Sequence, residues 1–203
     1  MKIYRINEIF YSIQGEGLYT GTAAVFIRFS GCNLACPFCD TEHQPFTRME
    51  RKDIIREIDR VSDGNHPALC VLTGGEPTLQ VDPDLLVALR KRFKRIAIET
   101  NGTRDVISGF DLITISPKDC FVENAALAVQ TSGAETECKV VFDGEHNPER
   151  YFEIVQASHY YLQPCDTGDP ARNAKIIAAA VGHIKTHPWW QLSLQTQKII
   201  NVR

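Results

Sequence analysis

Ala24-Val25-Phe26-Ile27-Arg28-Phe29-Ser30-Gly31-Cys32-Asn33-Leu34-Ala35-Cys36-Pro37-Phe38-Cys39 runs from a short apolar stretch straight into three closely spaced cysteines. The first part predicts a buried strand, and Ser30-Gly31 marks its end. Comparable β-rich runs follow at Leu69–Thr73, Ile96–Glu99, Leu112–Ile115, Cys138–Phe142, Tyr160–Leu162 and Leu192–Gln195. Helical patterns lie between several of them: Ile54, Ile55, Ile58 and Val61 share one face, as do Leu85, Leu86, Leu89 and Phe93, and then Ile176, Ile177, Ala180, Val181 and Ile184. Asp82-Pro83 and Asn147-Pro148 each set a capping side chain before a proline suited to a first helical position. Alternating β and α units imply an α/β fold with a parallel sheet. At 203 residues the chain is shorter than the roughly 250 of a full eight-fold barrel, so an open, partial TIM-like barrel of about six parallel strands with helices outside is expected. No repeat, linker or low-complexity segment divides it, and residues 1–203 read as a single domain.

In such architectures the chemistry sits at the carboxyl ends of the strands. The sequence becomes polar and glycine-rich at those ends: Thr73-Gly74-Gly75-Glu76-Pro77, Glu99-Thr100-Asn101-Gly102, Ser116-Pro117-Lys118 and Gln163-Pro164-Cys165-Asp166. Four consecutive strand ends are expected to face one site.

A net charge of -3 and a pI near 6.1 supply no general cationic field, so a small-molecule substrate fits better than nucleic acid. The amino terminus lacks a continuous apolar core of the signal-peptide type, and no stretch is long and apolar enough to span a bilayer. A cytoplasmic location, without membrane attachment, is the expectation. Seven cysteines, three of them within eight residues, make a poor disulfide framework. Cys70, Cys120, Cys138 and Cys165 are scattered singly and read as small hydrophobes.

Cys32, Cys36 and Cys39 form a C-x3-C-x2-C run in the loop after the first apolar strand. Three thiolates so placed can hold three irons of a cubane, leaving the fourth open to a small molecule that receives an electron. The competing reading is a structural zinc site completed by another Cys or by His43, although no second ligand pair of the usual kind is present. His183 and His187, four apart near a predicted helix end, lack the acidic neighbour of an H-E-x-x-H motif and read as an exposed or capping pair. Gly74-Gly75 lets a ligand approach the backbone closely, with amides and carbonyls free to meet it. Taken alone, Arg28 can be an outward residue of a half-buried strand, Gln14-Gly15-Glu16-Gly17 a turn, and Thr41 a loop hydroxyl.

The cysteine run together with Gly74-Gly75-Glu76-Pro77 resembles the radical S-adenosylmethionine superfamily. Within it the chain is similar, nearly end to end, to the 7-carboxy-7-deazaguanine synthases of queuosine (7-deazapurine) biosynthesis. That narrower resemblance rests on Phe10-Tyr11-Ser12-Ile13-Gln14-Gly15-Glu16-Gly17, Arg28, Cys39-Asp40-Thr41, Ser116-Pro117-Lys118, Gln163-Pro164 and Leu194-Gln195-Thr196-Gln197-Lys198.

The resemblance implies that Cys32, Cys36 and Cys39 ligate a [4Fe-4S] cluster whose open iron takes the amino and carboxylate groups of S-adenosylmethionine. Phe38, Asp40, Gly75, Ser116, Pro117, Lys118 and Gln163 would line the rest of that cofactor's pocket. Thr41 would offer its hydroxyl to Mg2+, a hard cation that prefers oxygen. The implied substrate is 6-carboxy-5,6,7,8-tetrahydropterin, its carboxylate met by the guanidinium of Arg28 and its ring read by Ile13, Gln14, Gly15 and Glu16 with Thr73 nearby. A 5'-deoxyadenosyl radical would take hydrogen from C6, followed by ring contraction and loss of ammonia. Two departures stand out: Gln197 replaces a histidine of the closing pattern and cannot titrate near neutral pH, and the chain ends at Arg203 where relatives often end in a small or apolar residue. Both remain candidates for substrate contact. A homodimer and a flavodoxin-type electron donor are also implied. The basic run Arg90-Lys91-Arg92-Phe93-Lys94-Arg95 reads either as charge complementing a helix carboxyl end or as that donor's docking patch. A glycyl-radical activase shares the cysteine spacing, but gives no reason for Gln14-Gly15-Glu16-Gly17 with Thr41.

Overall fold

The computed structural model describes residues 2–39, 41, 43–128 and 133–202. In chain order the main elements are β1 (Ile3–Ile13), β2 (Ala23–Phe29), β3 (Thr47–Glu50), α1 (Arg51–Ser62), β4 (Leu69–Gly74), α2 (Pro83–Arg90), β5 (Arg95–Thr100), β6 (Leu112–Ile115), β7 (Glu135–Phe142), α3 (Glu149–Ile154), β8 (His159–Pro164), α4 (Pro170–Thr186), β9 (Trp190–Leu192) and α5 (Thr196–Ile199). Among the described residues nine strands join one open sheet in the order β3-β1-β2-β4-β5-β6-β7-β8-β9. From β2 to β9 every pairing is parallel; β1 runs antiparallel to both β2 and β3. The open α/β barrel is therefore as expected, with seven parallel strands instead of about six and an antiparallel edge that the apolar runs did not reveal.

The hidden edge has a physical explanation. β1 is amphipathic, alternating exposed Ile3 and Arg5 with buried Tyr4 and Ile6, and its register slips at a bulge between Ile6 and Glu8 before Ile9 and Phe10 turn inward. The final strand is Trp190–Leu192, not Leu192–Gln195, because Trp190 pairs with Tyr160 inside the core. Ser193–Gln195 then leaves the sheet to carry polar side chains toward the barrel interior.

The parallel strands are buried on both faces. On the outer face Val25, Ile27, Cys70, Leu72, Ile96, Ile98, Val140 and Leu162 pack against Ile54 and Ile58 of α1, Leu85, Leu86 and Leu89 of α2, and Ile176 and Ala180 of α4. The inner face starts apolar, with Phe10, Ala24, Phe26, Leu69, Val71, Ala97 and Leu112 forming a plug. Two residues further along each strand the same inward row turns polar: Phe26 gives way to Arg28, Val71 to Thr73, Ala97 to Glu99, and Leu112 to Thr114 and then Ser116. The plug closes one end of the barrel and the polar row lines the other. Among the described residues no helix is long and apolar enough to cross a membrane.

Capping follows the sequence signals at α2 and differs at α3. Asn147 Oδ1 accepts the Glu149 amide at 3.0 Å, but Pro148 immediately precedes α3 and does not occupy its first turn. Asp82 accepts the Leu85 amide at 2.9 Å with Pro83 in the first turn. Asp169-Pro170 starts α4 in the same way, accepting the Ala171 amide at 2.8 Å. Asp82 also joins α2 to β1, since the Tyr4 hydroxyl donates to both its oxygens at 2.9 Å and Lys2 lies 3.2 Å away. Asp82→Ala removes the cap and leaves a buried phenol unpaired. It is expected to cost about 1–3 kcal/mol in urea unfolding; a change under about 0.5 kcal/mol would show that this junction is dispensable.

Candidate functional site

The cysteine loop is fastened to the strand ends by backbone contacts that leave no room for side chains. Gly75 N–H donates to Phe29 O and Glu76 N–H to Gly31 O, both at 2.9 Å, while Gln80 Nε2 donates to Ser30 O at 2.8 Å. A methyl group on Gly75 would sit 2.1 Å from Gly31 O, so the second glycine of Gly74-Gly75 is required by close approach. Gly74, at φ +111°, is in the region that favours glycine.

Glu76 is fully buried and ties the ends of β4 and β5 together, accepting from Thr100 Oγ1 at 2.9 Å, Asn101 N–H at 2.8 Å, and the amide and hydroxyl of Thr78. Asn101 in turn donates from Nδ2 to Asn33 Oδ1 at 3.0 Å and lies 3.8 Å from Cys32 Sγ. The Leu34 amide donates to the same sulfur at 3.4 Å. Burial raises the thiol pKa of both Cys32 and Cys36, only partly opposed by those donors at Cys32 and by the Lys118 charge at Cys36. Neither ionises readily by itself; a bound metal centre would draw off their protons. Three unbridged thiols on one loop, with N–H donors already aimed at a sulfur, match the needs of a cluster.

A cleft of about 540 Å3 opens between this loop and the polar row. Cys32, Cys36, Cys39, Phe38 and Thr41 line one side, Gly75, Ser116, Lys118 and Gln163 another, and Ile13, Gln14, Gly15, Glu16, Arg28, Thr73 and Gln197 a third. Among the described residues, one expected member does not join them. Pro117 is buried and does not line the cleft, although its neighbours Ser116 and Lys118 do. Asp40 and Arg203 lie outside the described residues. Phe38 is held edge-to-face on Phe121, centroids 4.7 Å apart. Lys118 folds back so that Nζ donates to Ser116 O at 2.7 Å and to Ser116 Oγ. Burial, chiefly, lowers its pKa to about 8. Cys165 also lines the cleft, whereas Cys70 and Cys138 are buried among apolar side chains as expected.

The floor of the cleft is a charge cluster that the sequence reading missed. Lys139, only 6% exposed at its side chain, contacts Glu16 Oε2 at 2.5 Å and lies 3.5 Å from Glu99 Oε1. Burial works to strip the ammonium of its proton, but Glu16, Glu99 and Glu137 outweigh it and the pKa is raised. Burial likewise pushes Glu16 up, yet the Lys139 charge and hydrogen bonds from Lys139, Gln195 and Gln197 lower it to about 2. Glu99 accepts from Thr73 Oγ1 at 2.7 Å and from Gln14 Nε2 at 3.2 Å. Gln195 and Gln197 each donate to Glu16 Oε1 at 3.1 Å, drawing the carboxyl-terminal segment over the cleft. Gln197 Oε1 is buried and has no hydrogen-bond donor among the described residues.

Glu137 holds the opposite end of the Glu16 turn, accepting the Leu18 amide and the Thr114 hydroxyl at 2.8 Å each. The signal for both missed residues was Glu137 and Lys139 two apart in one strand, which sets them on the same face, here the inner one. β7 itself lies between β6 and β8, so the four polar strand ends named from sequence are not neighbours throughout; β7 contributes Lys139 and Val141 between them.

Arg28 projects from β2 beside Glu8, Nε 3.1 Å from Oε1 without hydrogen-bond geometry, and its guanidinium stacks 5.7 Å above the Phe10 ring. The basic run behaves as local structure. Arg90 donates to Asp111 Oδ2 and Gly109 O, Arg92 donates to both oxygens of Asp59, and Arg95 lies over Tyr19. Arg95 pairs with Leu69 at the amino ends of the strands, opposite the cysteines, which removes the reason to dock an electron donor there.

Residues 26–164 match the family model of the Radical SAM superfamily. The chain is 44% identical over 200 residues to 7-carboxy-7-deazaguanine synthase of Bacteroides thetaiotaomicron, covering 98% of each protein. It is 38% identical to the enzyme of that name from Caulobacter vibrioides, covering 98% of this chain and 99% of the relative. The fold superposes on the crystal structure of QueE from Escherichia coli with a TM-score of 0.72 at 27% identity, over 96% of this chain and 94% of that one.

The floor makes a direct prediction. Lys139→Met strands Glu16 and Glu99 as unpaired buried charges and is expected to cost about 3–5 kcal/mol in denaturant unfolding. The loss should shrink as pH falls through the pKa of the orphaned carboxyls, which burial without the ammonium pushes above the ordinary carboxylate range, because protonation relieves it. A stability unchanged at neutral pH would mean the three carboxylates do not depend on the ammonium.

Proposed function

Because the chain belongs to the Radical SAM superfamily and, within it, to the 7-carboxy-7-deazaguanine synthases, we propose that it converts 6-carboxy-5,6,7,8-tetrahydropterin to 7-carboxy-7-deazaguanine with loss of ammonia. One continuous cleft that joins a three-thiol rim to a polar, charged floor carries this reading. A [4Fe-4S] cluster and S-adenosylmethionine, when bound, supply the electron and the radical that removes hydrogen from the substrate. The remaining work is binding, orientation and exclusion of water, and belongs to this chain.

In this reading Cys32, Cys36 and Cys39 hold the cluster, supported by their shared loop and by the amide donor on Cys32. Gly75 offers a backbone surface free of side chain, and Ser116, Lys118 and Gln163 meet the polar groups of S-adenosylmethionine, with Phe38 against its apolar parts. The ammonium of Lys118, so close to neutrality, suits a carboxylate partner. Arg28 receives the substrate carboxylate. Glu16, ionised and fixed by Lys139, accepts N–H groups of the pterin edge, with Ile13, Gln14, Gly15 and Thr73 shaping that side. Gln197 Oε1, a buried acceptor with no donor among the described residues, is suited to one more substrate N–H. Thr41 supplies a hydroxyl to Mg2+, which would neutralise charge where the substrate carboxylate meets Arg28. Asp40 and Arg203 keep their proposed places at the cofactor and substrate from the family resemblance alone.

We also propose a homodimer, supported by exposed Ile199 and Ile200 at the end of α5, and a flavodoxin-type donor. The donor would approach from the cysteine side of the barrel, since electron transfer to the cluster requires proximity.

Anaerobically reconstituted protein with 6-carboxytetrahydropterin, S-adenosylmethionine and dithionite is expected to yield a product of the deazapurine's mass. An intact cluster that turns over no pterin would refute the assignment. Thr41→Val should raise the Mg2+ concentration for half-maximal rate by about tenfold or more while leaving cluster iron unchanged, one lost oxygen ligand being worth more than about 1.4 kcal/mol. An unaltered Mg2+ dependence would remove Thr41 from the metal.

A further inference from the structure

We propose that Glu149, His183 and His187 form a divalent transition-metal site, best suited to Zn2+, that fastens α3 to the carboxyl end of α4. One ring nitrogen of each histidine and one Glu149 oxygen lie within 4.8 Å of one another. None of the three lines the cleft. The sequence reading set the histidine pair aside for want of an acidic neighbour; the fold supplies that carboxylate from another helix, 34 residues away in the chain.

His187, directly after α4, lies four residues from His183 and stacks on it with centroids 4.1 Å apart and planes 10° apart; the proximity suits a shared ion, and the rings must splay for both nitrogens to aim at it. Three further features suit the site to a metal. Glu149 is clamped by indole donors, Trp190 Nε1 to Oε1 at 2.7 Å and Trp189 Nε1 to Oε2 at 3.1 Å, the outer hydrogen bonding that orients a ligating carboxylate. The His187 ring is anchored through Nδ1, 3.1 Å from His183 O and 2.9 Å from Thr186 Oγ1. The side chains of His183 and Glu149 remain 19% and 26% exposed, so an ion can reach them and keep a water as fourth ligand.

Tetrahedral Zn2+ with ligand bonds near 2.0–2.2 Å needs donor atoms about 3.3 Å apart. His183 Nε2 and Glu149 Oε1 are now 2.6 Å apart. The proposal requires side-chain rotations that bring the three donors, now within 4.8 Å of one another, to that spacing. Two neutral imidazoles and one carboxylate form a borderline donor set that favours Zn2+ over Mg2+ or Ca2+. The consequence reaches the cleft indirectly. Trp190 begins β9, and the chain beyond it carries Gln195 and Gln197 to Glu16.

The test uses the reconstituted holoenzyme, dialysed anaerobically against micromolar Zn2+, with zinc and iron counted by mass spectrometry and thermal unfolding recorded. Wild type is expected to bind one zinc more per chain than His187→Gln or Glu149→Gln, with equal iron, and to unfold at a higher temperature with zinc than without. Affinity should fall by at least about 100-fold in those variants and by about tenfold in Trp189→Phe, which keeps all three ligands and lies at the surface. Equal zinc in wild type and His187→Gln, or no zinc bound by folded wild type, would overturn the site.

Discussion

Lys139 carries a full positive charge where little water can reach it, and much of the cleft consists of the groups that keep it there. Glu16 and Glu99 contact its ammonium and Glu137 adds a third negative charge to its surroundings. Each of those carboxylates also fixes something else. Glu16 draws in the carboxyl-terminal segment through Gln195 and Gln197, Glu99 holds Gln14 and Thr73, and Glu137 sets the turn after β1. An arrangement of this kind contributes little net stability compared with an apolar core, because desolvating the ions offsets most of their attraction. Its value lies in preorganisation: acceptors stand at fixed positions before any ligand arrives.

The barrel makes that floor possible by dividing each inward row in two. Phe10, Phe26, Val71, Ala97 and Leu112 seal the amino end, so the charged groups above them have a low-dielectric base on one side and the cleft on the other. A second buried carboxylate, Glu76, works at the rim. It locks the ends of β4 and β5 and, through Asn101, sets the neighbourhood of Cys32. Thiol rim and ionic floor are thus positioned by the same strand ends, which lets an electron acceptor and a reacting ring be held side by side in one cleft.

Much of this was legible in the sequence. Buried parallel strands announce themselves as apolar runs, and six of the seven were visible in place, the short and largely exposed β9 being set too late in the chain; C-x3-C-x2-C and Gly74-Gly75 were legible because loop chemistry is local in sequence. What stayed hidden was non-local or amphipathic. β1 alternates polar and apolar residues across a bulge, so no run marks it. Lys139 and Glu137 look like solvent-facing charges until the sheet closes around them. Glu149 meets His183 only when α3 packs near α4, a pairing no spacing rule contains. Of the two readings the basic run at Arg90 to Arg95 allowed, local structure is the supported one: Arg90, Arg92 and Arg95 meet Asp111, Asp59 and Tyr19 near the amino ends of the strands.

The central claim is that three thiols grip a cubane and leave one iron for an amino-carboxylate ligand. Electron paramagnetic resonance of the dithionite-reduced protein, recorded with and without S-adenosylmethionine, examines that iron directly. A reduced-cubane signal whose g values move when S-adenosylmethionine is added is the predicted result. A signal indifferent to it, or one that persists when Cys32, Cys36 and Cys39 are all alanine, would contradict the account.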